Sequence, residues 1–285
     1  LSSSRTALSS SNGNSCDGCE MTPAQSSKVL AKVAEALRNQ EMLNSSNLLE
    51  LMPKIVELVQ KNLKEADLDQ NGDQITRVVK NMLGTLISKM NGKEAFMSPS
   101  SAEPGLTVQT TLLKQITSTS ISNLGEAFET KHSSGRSNSK NHDRSAAALA
   151  KDAGSLIGAI VGSMGSSGMK VEDLSSTMKE VTGAAVASLE NVDGMDSANL
   201  GDALQEITSE ATAAISQAIE DVKENNSSSV TSDLISSLVS SATSGATEKI
   251  GEIDIPGFTS EDLSSMVENV TKGATSGLGK MAAST

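Results

Sequence analysis

The stretch "EDLSSTMKEV", Glu172–Val181, returns 89 residues later as "EDLSSMVENV", Glu261–Val270, with "SDLISSLVSS" from Ser232 as a looser echo. Counted from Leu174, apolar residues fall at Met178, Val181, Ala185 and Leu189. That spacing follows the 3.6-residue helical period and places one apolar stripe along one side of a helix; strand alternation does not fit it. The repeated phrase is therefore a helix start followed by a buried seam. Its acidic residues sit in the first turn, where the helix dipole stabilises negative charge.

The same ruler works elsewhere. It finds Leu200, Leu204, Ile207, Ala211 and Ile215; Leu263, Val267, Val270, Ala274 and Leu278; and Leu149, Ala153, Leu156, Ile160 and Met164. Towards the N-terminus it finds Ile75, Val79, Met82, Leu86 and Met90, and Leu48, Met52, Ile55, Val59 and Leu63, the last stripe interrupted by Pro53. "SSKVLAKVAEALRN" uses Val29, Val33 and Leu37. Two stripes are poorer. From Leu234 the period reaches Leu238 and slips to Ala242 and Ile250, and from Leu113 it yields only Leu124 and Phe128. Turn and capping residues separate the stripes, with Ser232 and Ser260 as expected N-caps. The sequence thus predicts an all-α chain of about nine amphipathic helices. Each must cover its neighbour's stripe, so they form a helical bundle or a stacked helical array.

Charge divides the chain. Residues 1–145 hold 16 basic and 15 acidic residues, whereas residues 146–285 hold 7 and 20. The step coincides with the polar stretch "TKHSSGRSNSKNHDRS" from Thr130. The expected organisation is a Ser/Asn-rich disordered segment at 1–23, a four-helix unit at 24–130, a polar linker at 131–145 and an acidic five-helix unit at 146–285.

Composition excludes several function classes. The chain lacks Trp and Tyr and has only Phe96, Phe128 and Phe258, so it offers almost no aromatic face for sugars, bases or quaternary amines. A net charge of −12 disfavours nucleic acid and anionic membranes as partners. No apolar run approaches the ~18–20 residues of a membrane span. Cys16 and Cys19 lie in "NGNSCDGCE" without the strand–helix context of a redox pair or a second ligand pair for zinc. A local or intermolecular disulfide in a secreted chain is the expectation. Asn44, Asn225, Asn226 and Asn269 are possible glycan acceptors. A start at Leu1 rather than Met fits a processed or excised chain.

Few motifs carry chemistry. "DLDQNGDQI" from Asp67 resembles a calcium loop through Asp67, Asp69, Asn71 and Gly72, but Val78 stands where a bidentate Glu must close the shell. "GATSGLGKM" from Gly273 is one residue too long for a phosphate loop, ends in Met281 and follows no strand. His132 and His142 fall in the expected linker, where no base can be held against a nucleophile. No catalytic residue, cofactor or metal site is therefore expected, and the chain is read as a non-enzyme. Gly154, Gly158 and Gly162 in "GSLIGAIVGSMG" share a helix face that lets two backbones approach, either inside the fold or between copies.

The Ser/Ala/Met/Gly palette, arranged in four- and five-helix units, resembles the helical-bundle domains of spider silk proteins. The resemblance implies storage as soluble bundles and self-association through helix faces or domain ends, with carboxylates of the acidic half as pH sensors. The functional expectation is a secreted, extracellular structural protein, silk-like or a matrix material. The alternative is a surface-active or lipid-associating protein whose helices open at an air–water or lipid interface.

Overall fold

The computed structural model describes residues 72–89, 106–132, 139–190, 192, 195–226, 232–253 and 258–284, together with 31, 32, 54, 58 and 61. Every regular element among the described residues is helical. In chain order these are α1 (Gly72–Lys89), α2 (Val108–His132), α3 (Ser139–Gly162), a 3-10 turn at Gly165–Ser167, α4 (Val171–Leu189), α5 (Ser197–Ala213), α6 (Ile215–Asn226), α7 (Ser232–Ile250) and α8 (Ser260–Ser284). α5 and α6 are one rod interrupted at Ala214, whose N–H still bonds the Glu210 carbonyl at 3.0 Å while its own carbonyl accepts from Ala218 at 3.1 Å. Seven rods are thus described, matching seven of the nine expected stripes. The other two, at 26–39 and 48–63 with Pro53, fall almost wholly outside the described residues.

Alternate helices occupy alternate layers. α1, α3, α5 and α8 follow one another in one layer, and α2, α4 and α7 in the other. Across the layers α3 meets α2 and α4, α5 meets α4 and α7, and α7 meets α8. α6, continuing the α5 rod, packs on the 3-10 turn that follows α3. Gly168, which closes that turn, has φ 76°, a left-handed conformation that glycine adopts without steric cost. Each helix covers the stripe left open by the one before it, which is the stacked array the repeated seam requires.

The stripes of α3, α4 and α5 are buried as their period demands, including Met178, Val181, Leu204 and Ile207. In α1 Val79 and Met82 are buried beside Val78, Leu83 and Ile87. α2 solves a different problem, since its helix buries Thr110, Thr111, Thr117 and Ser120 along with its few apolar residues. The hydroxyls turn back onto their own helix: Thr117 Oγ1 donates to the Leu113 carbonyl at 2.8 Å and Ser120 Oγ to Ile116 at 2.6 Å. Ser188 and Thr208 do the same in α4 and α5. Buried hydroxyls satisfied in this way carry little desolvation cost, so a chain that is only 36% hydrophobic still builds a core.

Four expectations are revised. The described core does not divide at 131–145: one apolar cluster runs from Val78 in α1 to Val270 in α8, with α1 packed on α3 and α2 on α4. α3 begins at Ser139, so the second part of the expected linker is helix. Residues 139–145 carry no apolar stripe, but extending a helix from Ala146 onward adds one hydrogen bond per residue and needs no stripe. The caps also move. Thr259 precedes α8, so Ser260 is its first helical residue, and Ser232 is likewise the first residue of α7. In α8 the expected stripe is split, with Val270 and Ala274 buried while Leu263, Val267 and Leu278 are 37%, 43% and 38% exposed.

Candidate functional site

Small residues set the distances between the helices. At Gly154 an added Cβ would lie 3.0 Å from the Glu206 backbone of α5, and at Gly158 it would lie 3.4 Å from Glu210. Gly162 continues the same face onto Ala214 and Gln217. These three glycines therefore pack α3 against the α5–α6 rod, with Gly154 and Gly162 buried and Gly158 half-buried at the edge of the contact. On the opposite side of α5, Gly273 and Gly277 of α8 press on the carbonyls of Gln205 and Ser209. α4 and α7 close in the same way, with Gly245 against the Lys179 carbonyl and Gly183 against Gly245.

The phosphate-loop look-alike is thus the seam of α8. Gly273 and Gly277 serve close approach, Gly279 faces open space, and the backbone N–H groups belong to a helix interior. The periodic glycines of α3 were legible in the sequence. Gly183 and Gly245 were not, because each is a single glycine whose partner lies on another helix.

The remaining predicted positions are scattered. Cys16, Cys19 and Asn44 lie outside the described residues, as do Asp67, Asp69 and Asn71; Gly72 opens α1. Asn225 and Asn226 end α6, and His132 and His142 belong to α2 and α3. Asn269 is half-buried in α8 and meets α5 so closely that a Cβ on Gly201 would lie 2.5 Å from its Nδ2. The folded seam leaves no space for a glycan on that nitrogen.

Two grooves follow the seams. One of about 540 Å³ runs between α2, α4 and α7 over Gly183, Ala184 and Gly245. Its charges are paired across the helices, Lys114 with Glu180 at 3.1 Å and Lys179 with Glu248 at 2.6 Å. The Lys179 ammonium, hydrogen-bonded to Glu248, holds that carboxyl below its ordinary range, and Glu248 raises Lys179 in return. The other groove, about 650 Å³, lies over Gly84, Gly158 and Gly162, with Lys80 and Asp221 in its lining. Neither lining contains a histidine or cysteine. Among the described residues no three His, Cys, Asp or Glu side chains stand together as a metal site. No described helix is long and apolar enough to cross a membrane.

What stands out chemically is α8. Leu263, Val267 and Leu278 are the exposed large hydrophobic residues of the described chain, and all three lie on this helix. Its start is fixed by a reciprocal cap. Asp262 N–H donates to Thr259 Oγ1 at 3.2 Å, while Thr259 N–H and Oγ1 donate to Asp262 Oδ2 at 2.9 and 2.6 Å. These bonds, with a further one from Ser197, hold the Asp262 carboxyl below its ordinary range. Glu268 is lowered by its ion pair with Lys272, 2.8 Å away. No protein-family model matches the chain, and no curated protein is detectably similar to it.

Proposed function

We propose that this is a non-enzymatic, secreted structural protein, a silk-like or extracellular-matrix material that assembles through its Ser/Ala-rich helical units. The observation that carries the reading is the way the helices meet. Their seams are closed by glycine, hydroxyl and short aliphatic side chains, with backbone against backbone. The groove between α2, α4 and α7 holds lysines and glutamates paired across the helices. A surface of small, weakly charged residues can be laid against another copy at little desolvation cost, while the net charge of −12 limits indiscriminate association.

The exposed apolar residues of α8 also support a second reading, a surface-active protein that spreads its stripes on an air–water or neutral lipid interface. Surface tension, measured together with near- and far-ultraviolet circular dichroism, separates the two. The structural reading expects multimers that form with rising concentration while helicity and tertiary signal stay unchanged. Lowered surface tension with loss of tertiary signal, and no multimers in bulk solution, would favour the surfactant.

A further inference from the structure

We infer that the outward shoulder of α8 is a dimer interface that takes a second copy of the same helix in antiparallel orientation. The inference rests on the self-association proposed above and names the surface that performs it. In the layer α1–α3–α5–α8 each helix is covered by the next, and α8 is the last described. The shoulder turned away from α5 carries Leu263, Val267, Thr271, Thr275, Leu278 and Ala282 at helical spacing, all of them exposed. Leucine, valine and threonine with small neighbours are the residue types that fill the closed seams between α2, α4 and α5.

The pattern complements itself. Leu263 and Leu278 lie eight and seven residues from Thr271, so a two-fold axis beside Thr271 sets Leu263 of one copy against Leu278 of the other. An isologous contact requires this reciprocity. Charge selects the same orientation. The first half of α8 exposes Glu261 and Glu268, and the second half exposes Lys272 on the same flank. Antiparallel pairing brings the acidic half of one helix to the basic half of its partner, whereas parallel pairing aligns like charges. Glu268 pairs with Lys272 within the helix, and that pair is exposed, so it can be shared across the interface without desolvating an unpaired ion, while Lys280 reaches the other way to Glu210 of α5. A contact of one 25-residue helix is small, below the ~1,200 Å² of standard stable interfaces, so the dimer forms only at high concentration.

Sedimentation velocity of the full chain over a concentration series tests this. Wild type is expected to dimerise reversibly. Val267→Lys, at an exposed position, is expected to keep its circular dichroism and weaken association by about tenfold or more, because it buries an unpaired charge in the contact. Orientation is read in a background of Cys16→Ser and Cys19→Ser. Mixed Leu263→Cys and Leu278→Cys chains should form disulfide-linked pairs, and neither variant should do so efficiently alone. Self-linking of Leu263→Cys in preference to the mixed pair overturns the antiparallel contact. Wild-type association that Val267→Lys leaves unchanged overturns the α8 interface while sparing the self-association reading. A wild type that stays monomeric at every concentration defeats both.

Discussion

At the residue scale, two helical glycines of this chain do opposite things, and the difference lies in what stands next to them. Gly245 faces the Lys179 carbonyl of α4, so a methyl group there forces two backbones apart; Gly279, on α8, has nothing within 4 Å. Gly245→Ala should therefore destabilise the protein by about 1–3 kcal/mol through overpacking. Gly279→Ala should stabilise it by up to about 1 kcal/mol, because alanine is the better helix former. Urea unfolding of both variants checks the contrast, and equal effects would mean that the α4–α7 seam is looser than described.

The carboxylates act at this scale too. Asp262, Glu248 and Glu268 are all held below their ordinary range by hydrogen bonds or by lysines. A folded-state value below the unfolded one means that each contributes stability above the usual carboxylate range and loses it as pH falls through and below that range. Thermal unfolding should be nearly flat from neutral pH to about pH 5 and fall below about pH 4. Asp262→Asn should remove part of that fall. These three groups favour the packed fold when charged, which is the opposite sense from carboxylates whose protonation relieves repulsion.

At the element scale, helix identity was legible because most stripes keep a strict period and are buried where the period puts them. Leu174, Met178 and Val181 in α4 are the clearest case. α2 was read as poor because the period counts apolar residues only. Its buried face is half hydroxyl, and a hydroxyl that bonds its own helix behaves like a small apolar group once the bond is made. Thr110 and Thr177 carry this further, sharing a fully buried hydroxyl–hydroxyl bond of 2.6 Å between α2 and α4. Replacing Thr110 by valine strands the Thr177 hydroxyl and should cost about 1–3 kcal/mol, whereas replacing Thr177 leaves Thr110 its second partner, Thr107 Oγ1 at 2.8 Å, and should cost less. Replacing both should cost less than the two single changes summed, and a double-mutant cycle of unfolding free energies reads the coupling. Strict additivity would show that the two threonines find other partners.

At the scale of the whole molecule, a periodic stripe says that a helix must be covered and not what covers it. The alternation of two layers, the glycine contacts between single residues such as Gly183 and Gly245, and the shared core across residue 139 are properties of pairs of helices. No window of sequence contains them. The charge step at 145 looked like a boundary because net charge changes there, yet charge lies on outward faces and does not determine which stripes meet inside. The α8 stripe was read as wholly buried for the same reason. Its period is as regular as the others, but among the described residues no further helix of the layer covers its shoulder.

The central claim is a stack of helices whose inner seams are closed and whose last described helix offers the open face. Hydrogen exchange of the intact chain in dilute and concentrated solution, followed by mass spectrometry, measures this directly. The account predicts slow exchange in α3, α4 and α5 at both concentrations and a gain of protection on concentration confined to Ser260–Ser284. Protection gained instead in α3 around Gly154 and Gly158, or exchange in α3–α5 as fast as in an unfolded chain, would contradict it.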